Sequence, residues 1–257
     1  LLNQHANVIV LDNFISGHPD NLTEVKDKIK LVEGDIRDER LAEFFKNEEI
    51  EYIFNLAAHP YIPECYERPR EFFDVDAKAV LNLLLCAQGA GVKRIMQYST
   101  SEVYGTAKHV PMDEHHPVHP MSTYAVSKLA ADRLCYTMFH ERQIPVIILR
   151  QFNVYGPLET HPYVIPEIIK QLDKGNKLKL GNIKASRDLT YVTDAAKGAI
   201  ELMKAEKAVG DVFNMGSGEE WTIEELAHVI KELMGHEKIE IEIDKARLRP
   251  LDVERLN

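Results

Sequence analysis

Short runs of consecutive apolar residues recur along the first 150 residues and once more near residue 212. A continuous run of this kind, rich in β-branched residues, is typical of a strand buried on both faces of a parallel sheet. We therefore predict six buried strands. They cover residues 8–11, 29–32, 52–56, 94–98, 146–149 and 212–215.

Between these runs the apolar positions follow helical spacing. The predicted helices cover residues 39–46, 77–90, 123–141, 166–174, 194–204 and 222–234. Strands that alternate with helices of this length indicate βαβ units with right-handed crossovers. The predicted fold class is therefore α/β, with a Rossmann-type doubly wound parallel sheet.

The sequence changes in character after residue 150, where shorter pieces are separated by Pro and Gly. We predict a dinucleotide-binding Rossmann domain over residues 1–150 and a smaller C-terminal substrate-binding lobe over residues 151–257. The strand at 212–215 is a candidate to return to the first sheet.

Composition and charge narrow the function classes. The 257 residues are 45% hydrophobic and carry a net charge of −10, which argues against nucleic acid or an anionic membrane as a partner. No apolar run approaches the ~20 residues of a membrane span, and no signal peptide is visible. The three cysteines lack CxxC spacing, which fits a reducing compartment and predicts a cytoplasmic protein. The histidines at 109–119 lack ordered ligand spacing, so no metal site is predicted.

In open α/β sheets, ligands bind beyond the carboxyl ends of the strands. Asp12 follows the first predicted strand, where a carboxylate can accept hydrogen bonds from a ribose and would repel a 2′-phosphate, which favours NAD over NADP. A lone Asp at such a place is more often a turn former. We expect Asp35 to bind an adenine amino group and Ile36 to pack on the ring. The other candidate cofactor contacts are Asn13, Leu56, Ala57 and Ala58.

The glycine-rich turn that holds a pyrophosphate at a helix N-terminus is not found in the 257 residues. Residues 1–4 look like the end of an amphipathic helix. We therefore expect that turn upstream of Leu1.

The strongest local motif is YAVSK, in which Tyr124 and Lys128 are four residues apart on a predicted helix. Side chains at this spacing share a face about 6 Å apart, so the ammonium is expected to lower the phenol pKa from ~10 and make it a usable base. Alone, such a pair is more often a surface Lys beside a half-buried Tyr. The preceding segment YSTSEVYG adds Thr100, Ser101 and Glu102 at a strand end, and the two motifs together predict a catalytic site.

The chain resembles the extended short-chain dehydrogenase/reductases that act on nucleotide-diphosphate sugars. The resemblance rests on motifs in the family's order, which are VIVLDN, GDIRD, NLAAH, YSTSEVYG, YAVSK, RQFNVYGP, RDLTYVTD, VFNMGSG and RPLD. It implies NAD as cofactor and a nucleotide-diphosphate sugar as substrate. It also implies that Tyr124 takes the proton of the sugar 4-hydroxyl, that Thr100 binds the 4-oxygen, and that Lys128 orients the nicotinamide ribose.

The resemblance further implies that Glu102 is the C5 base of a 4,6-dehydratase. Ser101 stands where dTDP-glucose dehydratases carry an Asp acid, although GDP-mannose dehydratases also show Thr-Ser-Glu. The residues that resemble the family's phosphate and nucleotide ligands are Asn153, Arg187 and Arg249. Asp76 is a departure, because relatives usually have Asn there.

Three alternatives stay open. A 4-epimerase needs no C5 base, and UDP-glucuronate decarboxylases also carry TSEVYG, although their Tyr/Lys helix typically reads YDEGK. A non-catalytic dinucleotide-binding protein would not need a tuned phenol. Apolar residues on more than one face of the helices at 77–90 and 123–141 predict a homodimer seam, as in relatives. They are Leu81, Leu84, Leu85, Leu129, Leu134, Tyr136 and Met138.

Overall fold

The computed structural model describes residues 1–158 and 161–257. The strands are β1 (Val8–Asp12), β2 (Ile29–Glu33), β3 (Tyr52–Asn55), β4 (Arg94–Thr100), β5 (Val146–Gln151), β6 (Asn153–Tyr155), β7 (Lys177–Leu180), β8 (Ser186–Tyr191), β9 (Val212–Met215), β10 (Glu220–Thr222), β11 (Glu240–Ile243) and β12 (Arg255–Leu256). The α-helices are α1 (Leu41–Asn47), α2 (Ile62–Cys65), α3 (Pro69–Phe73), α4 (Ala79–Ala90), α5 (Thr123–Arg142), α6 (Val164–Leu172), α7 (Val192–Lys204) and α8 (Ile223–Leu233). Short 3₁₀ turns cover Leu2–Gln4, Pro19–Leu22, Lys26–Lys28, Ser101–Tyr104, Glu206–Ala208 and Lys245–Arg247, and a π-helical turn covers Asp74–Lys78.

The main sheet is parallel, in the order β3-β4-β5-β9. Successive residues of its central strands face opposite sides, as the period of a strand requires. Ile95 and Ile148 pack with α1, α4 and α5, whereas Met96, Ile147 and Leu149 pack with α7. Helices therefore cover both faces, which confirms the predicted doubly wound α/β class. The pairing of β9 with β5 confirms the predicted return of the strand at 212–215.

The prediction that the first two strands are buried on both faces is wrong. All five residues of β1 are only partly buried, and three of the five in β2 are exposed. Within residues 1–158 and 161–257, β1 pairs only with β2, and no ladder joins this pair to β3. A strand that pairs with a single neighbouring strand has less of its surface covered than a central strand, which explains the exposure of β1 and β2.

Much of the chain after residue 150 forms a second core. Helices α6 and α8 pack on the parallel pair β7 and β11, burying Ile168, Leu172, Leu178 and Ile230. Strand β8 pairs with β6, β10 and β12 in another small sheet. Because α7 and β9 belong to the main sheet, the predicted division near residue 151 stays a prediction. Within the described ranges, no helix is long and apolar enough to cross a bilayer.

Candidate active site

A cleft of about 1890 Å³ lies beside the ends of β4 and β5 and extends toward α6 and α8. The predicted site residues that line it are Leu56, Ala58, Thr100, Glu102, Tyr124, Lys128, Asn153, Arg187 and Arg249. Those that do not line it are Asp12, Asn13, Asp35, Ile36, Ala57 and Ser101. The fold therefore collects the predicted acid–base and phosphate-binding residues in one place, and leaves most of the predicted adenine contacts elsewhere.

The turn that follows β4 positions Thr100 and Glu102. The Thr100 hydroxyl accepts a hydrogen bond from the Glu102 backbone N–H at 3.2 Å, which caps the 3₁₀ turn. Gly105 ends the turn with φ 67°, and a Cβ there would overlap the His119 carbonyl oxygen. Ser101 is only 2% exposed. The turn therefore presents its first and third side chains to the cleft and buries the second.

Helix α5 carries Tyr124 and Lys128 on one buried face. The helix begins at a Ser122 cap, whose hydroxyl accepts a hydrogen bond from the backbone N–H of Ala125 at 3.1 Å. Tyr124 is 8% exposed and Lys128 is 4% exposed. The Lys128 ammonium donates to the Tyr98 carbonyl oxygen at 2.5 Å. Both side chains reach the cleft from the same helical face, as the spacing predicts.

The pKa of Tyr124 differs from the sequence prediction. Burial raises this pKa well above its usual value, the negative charges of Asp76 and Glu102 raise it further, and a hydrogen bond with Thr100 opposes the shift. Burial also lowers the pKa of Lys128. The prediction that the phenol is made acidic is therefore wrong for the polypeptide by itself, because burial and the nearby carboxylates raise the pKa of Tyr124.

Asp76 is the main unpredicted electrostatic neighbour of this pair. Its side chain is fully buried in the π-helical turn, and its two oxygens accept hydrogen bonds from the His59 backbone N–H at 2.8 Å and the Ser127 hydroxyl at 3.3 Å. Burial raises the pKa of Asp76, whereas the Lys128 charge lowers it. π-helical turns often occur at functional sites. The departure from Asn noted in the sequence therefore places a carboxylate in such a turn, beside Tyr124 and Lys128.

The predicted adenine-binding residues lie at the ends of β1 and β2. Asn13 donates to the Asp35 carboxylate at 2.9 Å, and Arg37 bonds both Asp35 oxygens. The Arg37 hydrogen bonds hold the pKa of Asp35 well below its usual range. Asp12 accepts a hydrogen bond from the backbone N–H two residues on, and Ile36 is buried in the core. The adenine and ribose roles of these residues stay predictions.

The residues around Lys128 fit the ribose of a dinucleotide. An ammonium has three hydrogen-bond donors, and within the described parts of the chain Lys128 has one hydrogen-bond acceptor, the Tyr98 carbonyl oxygen. A buried donor without a partner is costly, so a ligand with hydroxyl oxygens is favoured beside it. Leu56 and Ala58 line the same cleft.

Arg187 and Arg249 form the basic side of the cleft. Asp252 lies 3.9 Å from the Arg187 guanidinium and 3.8 Å from that of Arg249, and Glu102 lies 3.8 Å from Arg249. These distances exceed those of hydrogen bonds, so the carboxylates leave the guanidinium donors unused. Arg187 uses one donor elsewhere, because its Nη1 atom donates to the Ser186 carbonyl oxygen at 2.8 Å. Burial lowers the pKa of Arg187, whereas Glu102 and Asp252 raise it.

A third arginine, Arg150, shows what a structural pair looks like in this protein. Arg150 donates to the Asp132 carboxylate at 2.8 Å, and both side chains are almost completely buried. It also donates to the Tyr104 hydroxyl at 2.9 Å. Because this guanidinium is committed to several protein acceptors at hydrogen-bond distance, it is not available to a ligand. Arg187 has one such acceptor, the Ser186 carbonyl oxygen, and its Nη2 atom lies 3.9 Å from the nearest carboxylate.

Several residues of the cleft were not predicted. Asp252 belongs to the RPLD motif, and its position three residues after Arg249 was the available signal. Tyr61 and Tyr163 also line the cleft, and their rings lie 5.7 Å apart. Trp221 lines the cleft from the three-residue strand β10. Such short segments give no periodic pattern, so the sequence offered no signal for them.

Comparison with known proteins places these motifs in context. A family model described as GDP-mannose 4,6-dehydratase matches residues 1–257. The human dTDP-D-glucose 4,6-dehydratase is 30% identical over 231 residues, which cover 88% of this chain and 66% of that protein. The chain therefore spans just under two thirds of the length of this relative.

Solved structures include both dehydratases and epimerases. The dTDP-glucose 4,6-dehydratase of Streptomyces venezuelae, crystallised with NAD, matches with a TM-score of 0.88 and 30% identity, covering 97% of this chain and 78% of that one. The UDP-glucose 4-epimerase of Thermotoga maritima, crystallised with UDP-glucose, matches with a TM-score of 0.89 and 27% identity, covering 99% and 82%. The fold is thus shared by 4,6-dehydratases and 4-epimerases.

Proposed function

The chain belongs to the GDP-mannose 4,6-dehydratase family of extended short-chain dehydrogenase/reductases, and from this we propose that it is an NAD-dependent nucleotide-sugar 4,6-dehydratase. The observation that carries the proposal is the position of Glu102. Its carboxylate lies in the same cleft as Thr100 and Tyr124, close enough to raise the pKa of the phenol. A carboxylate at this place supplies the base that dehydration requires.

In the first step, the sugar 4-hydroxyl lies against Thr100 and Tyr124. Tyr124 takes the hydroxyl proton while Thr100 holds the oxygen, and bound NAD supplies the acceptor of the C4 hydride and its later donor to C6. Two donors of the Lys128 ammonium are available for ribose hydroxyls. To accept this proton Tyr124 must first be ionised, and the Lys128 charge on the same helical face favours that phenolate form.

In the second step, Glu102 takes the proton from C5. The 4-keto group makes this proton acidic, because the negative charge left on carbon spreads onto the carbonyl oxygen. The 6-hydroxyl must gain a proton to leave as water. Glu102 can return the proton that it took, so the elimination balances without an acid at the buried Ser101. The catalytic role predicted for Ser101 therefore has no support from its burial.

The nucleotide diphosphate is proposed to bind on the basic side of the cleft. Arg187 and Arg249 have guanidinium donors that no carboxylate occupies at hydrogen-bond distance, and a guanidinium can bind phosphate oxygens in bidentate fashion. Asn153 lines the same cleft. These residues and Tyr124 line the same cleft, so the nucleotide and the sugar can be bound there together.

The activity test is to incubate the full chain and NAD with dTDP-glucose, GDP-mannose, UDP-GlcNAc, UDP-glucose and UDP-glucuronate in turn. Mass spectrometry of the products separates the candidate reactions. Loss of one water supports the dehydratase, loss of carbon dioxide points to a decarboxylase, and a new sugar of unchanged mass points to an epimerase. Inactivity with every sugar, together with failure to bind any of these sugar nucleotides while NAD still binds, would favour a non-catalytic dinucleotide-binding protein.

The role of Glu102 is tested by Glu102→Gln, which keeps the size of the side chain and removes the base. We expect water loss to stop while transient formation of reduced nicotinamide continues. Glu219→Gln is the matched control, because Glu219 also lines the cleft and has no proposed role. Undiminished dehydration by Glu102→Gln contradicts the proposal.

A 4-epimerase is the second candidate. It is supported by the similarity to the Thermotoga maritima enzyme and by the burial of Ser101 where glucose-type dehydratases carry an acid. An epimerase returns the hydride to C4 and needs no base at C5. Full activity of Glu102→Gln with a product of unchanged mass would therefore select this function.

We also propose a homodimer formed through α4 and α5. Leu85, Val126 and Tyr136 are exposed on these helices, whereas Leu84 and Met138, which were predicted for the same seam, are buried in the core. Sedimentation at micromolar concentration tests this proposal, with Tyr136→Glu expected to give the monomer. A monomeric wild-type protein contradicts it.

A further inference from the structure

Two arginines and two carboxylates form a charge-balanced network inside the cleft. Arg249 lies between two acids, with its Nη1 atom 3.8 Å from Glu102 Oε1 and 3.8 Å from Asp252 Oδ1. Arg187 Nη2 lies 3.9 Å from the same Asp252 oxygen. The proposed base therefore shares a network with the two arginines that are proposed to bind the diphosphate.

Asp252 is held by its side chain and Glu102 by its backbone, in each case by residues other than the arginines. The Asp252 side chain accepts a hydrogen bond from Asn182 at 3.1 Å, and the backbone of Glu102 is fixed by the Thr100 cap. In the described ranges, no hydrogen bond joins either carboxylate to Arg187 or Arg249. The acids neutralise the arginines by charge alone and leave guanidinium donors unused beside the cleft, although Arg187 Nη1 donates to the Ser186 carbonyl oxygen at 2.8 Å.

We propose that Glu102 and Asp252 are the resting counter-anions of Arg249 and Arg187, and that the diphosphate of an incoming nucleotide sugar displaces them. This inference rests on the proposed function, because it takes a nucleotide sugar as the occupant of the cleft. A diphosphate can form short bidentate bonds to both guanidinium groups, whereas the carboxylates approach them only at 3.8 and 3.9 Å.

The displacement also separates Glu102 from its arginine partner. When Arg249 turns to the diphosphate, the cation that lay 3.8 Å from the Glu102 carboxylate is engaged by the nucleotide. Binding energy from the nucleotide is then used to release the proposed base for the sugar.

The protein contains its own reporter for this test. Trp221 is the single tryptophan of the sequence, it lies opposite Arg187 in the antiparallel pair β8 and β10, and it lines the cleft. Its fluorescence is therefore expected to change when a nucleoside diphosphate binds. Titration with dTDP, UDP and GDP, without any sugar, gives a dissociation constant that does not depend on catalysis.

Removing a competing anion should strengthen nucleotide binding. We expect Glu102→Gln and Asp252→Asn each to lower the dissociation constant of the preferred nucleotide about 3- to 5-fold, the equivalent of one modest ion pair. Glu219→Gln removes a charge from the same cleft but has no arginine partner in the described network, so no change is expected. Unchanged or weaker binding by both Glu102→Gln and Asp252→Asn overturns the inference, because a purely structural role predicts that result.

A double variant tests whether Arg249 is the arginine for which Glu102 and the diphosphate compete. In an Arg249→Met background, Glu102→Gln should no longer strengthen binding, because the cation for which Glu102 competes is gone. An equal gain in both backgrounds means a general charge effect and overturns the inference. If the wild type binds none of the three nucleotides, both this inference and the proposed nucleotide-sugar function fail. Normal wild-type binding without a gain in the variants removes only the inference.

Discussion

The buried pair of Arg150 and Asp132 gives the sharpest prediction about stability. Asp132 on α5 is fully buried and accepts hydrogen bonds from Arg150 at 2.8 and 3.2 Å and from the exposed Arg133 at 2.9 Å. Arg150 also bonds the hydroxyl of Tyr104, in the same 3₁₀ turn as Glu102. The pair therefore ties helix α5, which carries Tyr124, to the turn that carries Glu102, the proposed base.

Arg150→Met leaves a buried carboxylate whose remaining hydrogen-bond donors are the exposed Arg133 and the Ser99 hydroxyl at 3.2 Å. Breaking a buried pair from one side typically costs about 3–5 kcal/mol. Because Arg133 still bonds the carboxylate, we expect a loss near the lower limit, ~3 kcal/mol. For a protein of this size that loss lowers the melting temperature by roughly 6–12 °C.

Thermal and urea unfolding followed by circular dichroism measure the loss. Arg133→Met is the matched control, because it removes a bond to the same carboxylate from an exposed site and should cost less than about 1 kcal/mol. Arg150→Met combined with Asp132→Leu should be less destabilised than the sum of the single changes, because no uncompensated charge stays buried. Equal losses in the two arginine variants would refute the argument from burial.

Three further outcomes are expected at the site. Asp76→Asn removes a negative charge beside the phenol, so the pKa of Tyr124 should fall; a tyrosinate absorbance titration with Tyr124→Phe as the blank measures this, and an unchanged or higher midpoint contradicts it. Tyr124→Phe should lower the rate of substrate oxidation by roughly 10²- to 10⁴-fold while nucleotide binding stays unchanged, and comparable losses in both would indicate a structural role. Gly105→Ala should destabilise the protein by about 2 kcal/mol or more in thermal unfolding, because its positive φ and the His119 oxygen exclude a side chain. Gly89→Ala, in helix α4 with open space around it, should instead stabilise by up to ~1 kcal/mol.

The main sheet was predictable because its elements are periodic. The apolar run at Ile147–Leu149 and the apolar spacing of α5 are local patterns, and the structure places both elements within two residues of the predicted bounds. Strands such as β7 alternate between exposed Lys and buried Leu over only four residues, which is too short for the pattern to be distinctive. The small sheets after residue 150 were missed for that reason.

The sequence by itself determined which residues share an element. The spacing of Tyr124 and Lys128 puts both on one face of α5, and the end of β4 brings Thr100 and Glu102 to the cleft, because these relations follow from backbone geometry over a few residues. Only the tertiary structure decided the electrostatics. Asp76 approaches the phenol from another part of the chain, and its charge, together with burial, reverses the predicted pKa shift.

The same division applies to the basic side of the cleft. The sequence supplied Arg150, Arg187 and Arg249 as chemically identical side chains. Asp132, which bonds Arg150, and Glu102, which lies near Arg249, are far from these arginines in sequence, so no local pattern encodes the distances between them. Coulomb energies and hydrogen bonds depend on those distances, so packing made Arg150 structural and left Arg187 and Arg249 without a carboxylate at hydrogen-bond distance.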